Sequence, residues 1–236
     1  MMIEPLVLLP GMMCDARLFQ AQVTDLSRDR AVMVAPITRG ERIEEIASNL
    51  IDQLPHRFAL AGISMGGIVA MEILRRAPDR IARLCLMNTN PLAETPAIAA
   101  TREPLIARAR AGRLQDVLAD TLLPDHLAPG PARRGVLDLV AQMGRDLGPE
   151  VFVAQSRALQ RRRDQQGTLR KSHVPTLILC GAHDSLTPVK RHSFMAELMP
   201  NARLSVLEAA GHMPPLECPD QLTAVLHDWL TWPVSA

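Results

Sequence analysis

Short apolar runs alternate with amphipathic stretches along this chain. Residues 6–9, 31–35, 58–63, 84–87, 176–180 and 203–207 have the length and aliphatic content of strands. Helical spacing between them predicts helices at 15–27, 41–54, 65–77, 189–199 and 219–231, with Pro78-Asp79 ending the third. Strands apolar on both faces need cover on both faces. The alternation therefore predicts an α/β fold with a mostly parallel central sheet and helices on either side.

Residues 91–173 break that rhythm. No strand pattern occurs there, whereas Leu114, Val117, Leu118 and Leu122, and then Val136, Leu137, Val140, Met143 and Leu147, recur at helical spacing. Proline and glycine punctuate the stretch, and Pro149 suits the first turn of a helix running to about residue 163. The segment reads as a helical cap inserted into a core formed by 1–90 and 174–236. It carries twelve arginines and one lysine against nine acids, a surplus of +4 in a chain whose net charge is +1. Two readings stand: solvated helix faces, or a basic rim that draws anionic acyl substrates.

At 236 residues and 47% hydrophobic, the chain has room for one sizeable domain plus the insertion. Balanced charge gives no reason to expect a nucleic-acid partner. The start lacks a basic n-region and its apolar run is only four residues, so neither a signal peptide nor a membrane span is expected. Cys14, Cys85, Cys180 and Cys218 lack metal-ligand spacing, which predicts no metal site and a reduced, cytoplasmic setting. Without tyrosine, hydroxyl chemistry falls to serine, threonine or water.

Gly62-Ile63-Ser64-Met65-Gly66 lies between a predicted strand and a predicted helix. That context makes it a nucleophile elbow, a sharp turn that exposes a serine hydroxyl. Gly62 and Gly66 keep the strand and helix free to pass closely. A serine needs a base, and the base an orienting acid. Asp184 follows the 176–180 strand, and His212 follows the 203–207 strand. In a parallel sheet those ends share one edge, so Ser64, Asp184 and His212 can converge there as a catalytic triad. His183 is the rival base, but neighbours in an extended loop point apart, which favours His212. The loop after residue 87 can also house the acid; it reads Asn88-Thr89-Asn90, with no carboxylate before Glu94. For the oxyanion hole, the backbone N–H of Met65 and that of Met12, in the Pro10-Gly11-Met12 loop, are the candidate donors.

The elbow, the 174–184 strand and loop, and Gly211-His212-Met213-Pro214-Pro215-Leu216-Glu217 together resemble the α/β-hydrolase superfamily over nearly the whole chain. The wording is most similar to small capped serine esterases and lactonases of the 3-oxoadipate enol-lactonase and pimeloyl-carrier-protein methyl ester esterase kinds. The resemblance implies Ser64 as nucleophile, His212 as general base and acid, Asp184 as orienter, a helical pocket roof and no cofactor. Two departures stand out. Pro10 occupies a position usually held by histidine, so the oxyanion loop needs a different support. With so few residues before the first parallel strand, the antiparallel hairpin that usually precedes it is not expected.

The expectation is a serine hydrolase that cleaves a small-molecule ester, lactone or thioester through an acyl-enzyme. Carbon–carbon bond hydrolysis or acyl transfer on the same triad, and a non-catalytic ligand-binding member of the fold, remain as alternatives.

Overall fold

The computed structural model describes residues 3–234. Six strands form one sheet: β1 (Leu6–Leu9), β2 (Val32–Val34), β3 (Phe58–Ile63), β4 (Ile81–Met87), β5 (Thr176–Gly181) and β6 (Ala202–Leu207). Their order is β2-β1-β3-β4-β5-β6, and every neighbouring pair is parallel.

The period-2 alternation of the strands sorts their side chains onto two faces. Val7, Leu9, Phe58, Leu60, Leu84, Leu86 and Ile178 enter one core. Leu6, Leu8, Ala59, Ala61, Cys85, Met87, Leu177 and Leu179 enter the other. The second core is covered by α1 (Gln20–Leu26), which contributes Leu26. The first is covered by α2 (Ile43–Ile51) and α3 (Met65–Arg76). Between β4 and β5 come α4 (Pro96–Arg110), α5 (Leu114–Thr121), α6 (Arg133–Gln160) and α7 (Gln166–Lys171). The chain then adds α8 (Val189–Leu198), α9 (Pro214–Glu217) and α10 (Pro219–Thr231), with α8 on the first core and α10 on the second.

Two elements depart from the sequence reading in a way the structure explains. β4 starts at Ile81 rather than residue 84, because Arg83 interrupts the apolar run yet is buried. Its guanidinium donates to the Trp232 carbonyl at 2.6 and 3.1 Å and pairs with Glu4, so two segments remote in sequence answer the charge. The 15–27 helix divides into a 3-10 turn at Ala16–Phe19 and α1. In α6 the helical backbone breaks at Gly148 (φ 83, ψ 172), so its second stretch starts at Pro149, where the sequence reading has a helix begin.

The sheet reverses its winding between β1 and β3, and the loops at the carboxyl ends of those strands meet there. Gly66 makes the meeting possible. A Cβ on it would stand 2.2 Å from the Leu9 carbonyl oxygen and 2.5 Å from that of Pro10. The next loop, after β4, is anchored from α8. His192 is fully buried, accepts the Thr89 N–H at Nε2 (3.0 Å), and has Nδ1 3.3 Å from the Pro188 carbonyl. A neutral ring with the proton on Nδ1 satisfies both contacts. Burial pushes its pKa from 6.5 down to about 4.

Two predictions concern stability. Gly66→Ala, which must push backbone apart, is expected to cost about 3 kcal/mol and lower Tm by about 6–12 °C. Gly167→Ala, whose Cβ meets nothing within 4 Å, should leave the thermal melt nearly unmoved. For His192, the unfolded chain takes up the proton first, so its stabilising contribution is complete above pH 6.5 and is lost as pH falls toward 4. Denaturant titrations should show unfolding free energy dropping by about 2–3 kcal/mol from this group across that window. His192→Gln should flatten the slope; an unaltered slope would assign the titration to another residue.

Candidate active site

Ser64 occupies the N-cap position of α3 with φ 53 and ψ −118, and its hydroxyl makes no capping bond. Serine at an N-cap ordinarily turns its oxygen onto the helix. Here the strained corner sends Oγ outward instead, 3.1 Å from His212 Nε2. The corner is pinned on both sides. Ser64 N–H donates to the Met87 carbonyl (2.9 Å), and the Ser64 carbonyl accepts from Thr89 Oγ1 (2.7 Å). Gly62 is as tightly confined as Gly66, since its Cβ would lie 2.4 Å from the Gly66 carbonyl oxygen. Gly11 differs: a Cβ there would make an ordinary 3.5 Å contact, with the Ser64 Cβ, and so would face the serine rather than clash with backbone.

His212 Nδ1 lies 2.9 Å from Asp184 Oδ2, which completes a chain of hydrogen bonds from carboxylate to imidazole to hydroxyl. Both partners are almost fully buried. Asp184 also holds its own turn, with Oδ1 accepting the Leu186 and Thr187 N–H groups at 2.9 Å each. Oδ2 accepts further from Thr187 Oγ1 (2.5 Å) and Asn88 Nδ2 (2.7 Å). Burial alone would raise this carboxyl, but the bonds from His212 and Thr187 outweigh it and hold the pKa at about 2. The rival His183 is exposed, and its backbone N–H bonds the Ala210 carbonyl.

Met65 is the first residue of α3, where N–H groups have no helical acceptor. Met12 lies in the loop after β1, and its N–H has no acceptor among the described residues. Met13, next in that loop, is held at φ 56. Its N–H donates to Gln155 Oε1 on α6 (2.9 Å), while Gln155 Nε2 donates to the Ile37 carbonyl (3.1 Å). Gln155 is fully buried and supports the loop that carries Pro10. Met13, Ser64 and Asn88 are the non-glycine residues with positive φ among those described, and all three stand at the carboxyl ends of strands around this site.

Several of these supports were not singled out from the sequence. Besides Gln155 and Asn88 they include Glu217. Its Oε1 accepts N–H from Ala128 (2.6 Å) and Gly211 (2.9 Å), and its Oε2 accepts that of Met213 (2.7 Å). His212 N–H donates to the His126 carbonyl at 2.7 Å, and Ser185 Oγ to that of Asp125 at 2.9 Å. His126 also reaches the cavity, and burial, with His212 nearby, lowers its pKa. Glu94 lies elsewhere in the site, bonded to Arg102 at 2.6–3.2 Å.

Ser64 and His212 open onto a cavity of about 740 Å³. Met12, Met13, Met65 and Met213 line it near the serine, and Leu105 and Leu118 line it from the helices between β4 and β5. Among the described residues no group of histidine, cysteine or acidic side chains could hold a metal ion, and no helix is long and apolar enough to cross a membrane.

The sequence profile of the alpha/beta hydrolase family matches residues 6–225. The chain is 29% identical over 202 residues to a pimeloyl-[acyl-carrier protein] methyl ester esterase of Aromatoleum aromaticum, covering 80% of each chain. Its structure is similar to a thermophilic esterase from Thermogutta terrifontis, with a TM-score of 0.88 and 27% identity over 96% of this chain and 89% of that one. An enol-lactonase from Burkholderia xenovorans shares the fold, with a TM-score of 0.85 and 24% identity over 98% and 93% of the two chains. With a match that runs from β1 into α10, this chain belongs to the alpha/beta hydrolase family and is a hydrolase.

Proposed function

We propose that the protein is a serine esterase that works through an acyl-enzyme, with Ser64 as nucleophile, His212 as general base and acid, and Asp184 as its orienting acid. The observation that carries this reading is the unbroken path at the cavity mouth, 2.9 Å from carboxylate to imidazole and 3.1 Å from imidazole to hydroxyl. The esterase relatives support an ester as the substrate class.

In this mechanism His212 Nε2 takes the proton as Ser64 Oγ attacks the ester carbonyl. Asp184, ionised at neutral pH, stabilises the imidazolium. The N–H groups of Met12 and Met65 bind the oxyanion, an interaction that strengthens as charge develops. Collapse expels the alcohol, which leaves with the proton from His212. Water then attacks the acyl-enzyme with His212 as base, and the carboxylic acid is released from a regenerated Ser64. Lactones and thioesters fit the same sequence of steps.

The 91–173 segment serves as the cap in this reading. Its α4 and α5 contribute cavity wall, while α7 packs against α3 and α8 on the core. The methionine-rich and leucine-rich lining favours an aliphatic acyl chain. Four buried free cysteines suit a reduced, cytoplasmic setting.

A fluorophosphonate probe should label the wild type at Ser64, and a short-chain nitrophenyl ester should be turned over. Ser64→Ala is expected to abolish labelling and to lower kcat by about a millionfold. A folded wild type that neither labels nor hydrolyses would instead be a binding protein on this fold. Asp184→Asn should lower kcat by about ten-thousandfold with KM little altered. Near-full activity in that variant would mean that Asp184 does not orient the base.

A further inference from the structure

The turn after β1 places a methionine where the backbone favours glycine. Cys14 N–H donates to the Gly11 carbonyl at 3.2 Å and closes the turn Gly11-Met12-Met13-Cys14. Its third residue, Met13, stands at φ 56, whereas Met12 is outside the positive-φ region. That is the type II pattern, which ordinarily takes glycine at the third place. The methionine Cβ disfavours this conformation. A type I turn would close the same residues with Met13 at negative φ and the Met12–Met13 peptide rotated over.

Two side chains hold that peptide. Its N–H, on Met13, donates to Gln155 Oε1 at 2.9 Å, and its carbonyl, on Met12, accepts from Cys14 Sγ at 3.5 Å. A thiol is a weak donor, so Gln155 is the stronger holder. Gln155 is fully buried, and its Nε2 donates to the Ile37 carbonyl, beyond β2, at 3.1 Å. One end of the amide meets a donor and the other an acceptor, so one orientation satisfies both. The Met13 side chain enters a third core shared with α4, α5 and α6, through Ile106, Val117 and Phe152 among others. Residues of the 91–173 segment therefore shape a loop that belongs to the sheet.

The same turn carries the Met12 N–H. In a trans peptide the carbonyl and the N–H point to opposite sides. With the Gly11 carbonyl turned toward Cys14, the Met12 N–H is turned the other way. This peptide passes beside the serine, since a Cβ on Gly11 would lie 3.5 Å from the Ser64 Cβ. Rotation of the next peptide would break the Cys14 thiol contact and slacken the turn. An oxyanion donor tolerates little slack, because it must sit about 2.7–3.1 Å from the developing charge.

We propose that Gln155 is a positioning residue for the oxyanion hole: it holds the Gly11–Cys14 turn in the type II form and so keeps the Met12 N–H in place beside Ser64. The role of that N–H rests on the esterase reading; the hold on the turn does not.

The experiment uses Gln155→Met, which fills similar space and offers no amide. With a short-chain nitrophenyl ester, kcat should fall by about tenfold to a hundredfold while KM stays within about twofold. A trifluoromethyl ketone, which Ser64 converts to a tetrahedral oxyanion, should lose affinity by a similar factor. The matching methyl ketone, which stays trigonal, should lose little. Met13→Gly supplies the discriminating background, because glycine takes positive φ without strain. There Gln155→Met should cost less than about threefold in kcat. An equal loss in both backgrounds, equal weakening of both ketones, or an unchanged kcat would overturn the positioning role. Crystal structures give an arm without catalysis: Met13 φ should turn negative in Gln155→Met, and an unmoved φ would overturn the proposal. If wild type hydrolyses no ester while φ turns, the esterase reading fails and the hold on the turn stands. Where Gln155→Met does not fold, Gln155→Asn, whose amide stops one methylene short, carries the same comparisons.

Discussion

The closest approach that matters in this molecule is between the start of α3 and the end of β1. Gly66 sits against the Leu9 and Pro10 carbonyls with no room for a single methyl group. Because α3 can move no further from that edge without opening the core, the chain between β3 and α3 must turn at one residue. Ser64 takes the turn and is forced to φ 53. The outward direction of its hydroxyl follows from steric exclusion two residues away, and local strain is held by hydrogen bonds to Met87 and Thr89.

A second layer of polar groups fixes what surrounds the corner. Asp184 divides its work between two oxygens: Oδ1 closes its own loop, and Oδ2 faces His212, Asn88 and Thr187. His192 reaches the same edge from beneath through Thr89. These buried groups are fully or nearly fully hydrogen-bonded, which makes the arrangement rigid and expensive to disturb. One exception is Asn88 Oδ1, which has no partner among the described residues.

Much of this was legible in the chain. Apolar runs on both faces imply a sheet covered twice, because exposed aliphatic faces would be unstable in water. Gly62, Gly66, Asp184 and His212 announce themselves because each sits at or just beyond the carboxyl end of a strand, Gly66 in the first turn of α3, where local sequence and local geometry coincide. What escaped was set by distance. Gln155 supports the loop after β1 from 142 residues away, and an isolated glutamine on a helix carries no periodic signal. Glu217 stood in plain view, yet its three backbone partners come from two separate loops. Arg83 misled for the opposite reason. A charge inside an apolar run looks like a boundary until its partners, Trp232 and Glu4, are brought alongside by the fold.

Glu217 has a mechanical side as well. Together with the His212–His126 and Ser185–Asp125 bonds, it laces residues 125–128 to the loops that carry the histidine and the aspartate. A swing of that segment away from the sheet cannot be a free hinge motion. It must either snap these bonds or drag His212 and Asp184 out of line. The cavity therefore has one wall tied directly to the catalytic loops, whereas α4 is tied to α6, through Gln160 to Ala99 and Glu103 and through Arg157 to Glu103. Molecules that enter or leave without displacing residues 125–128 leave the alignment of Ser64, His212 and Asp184 intact.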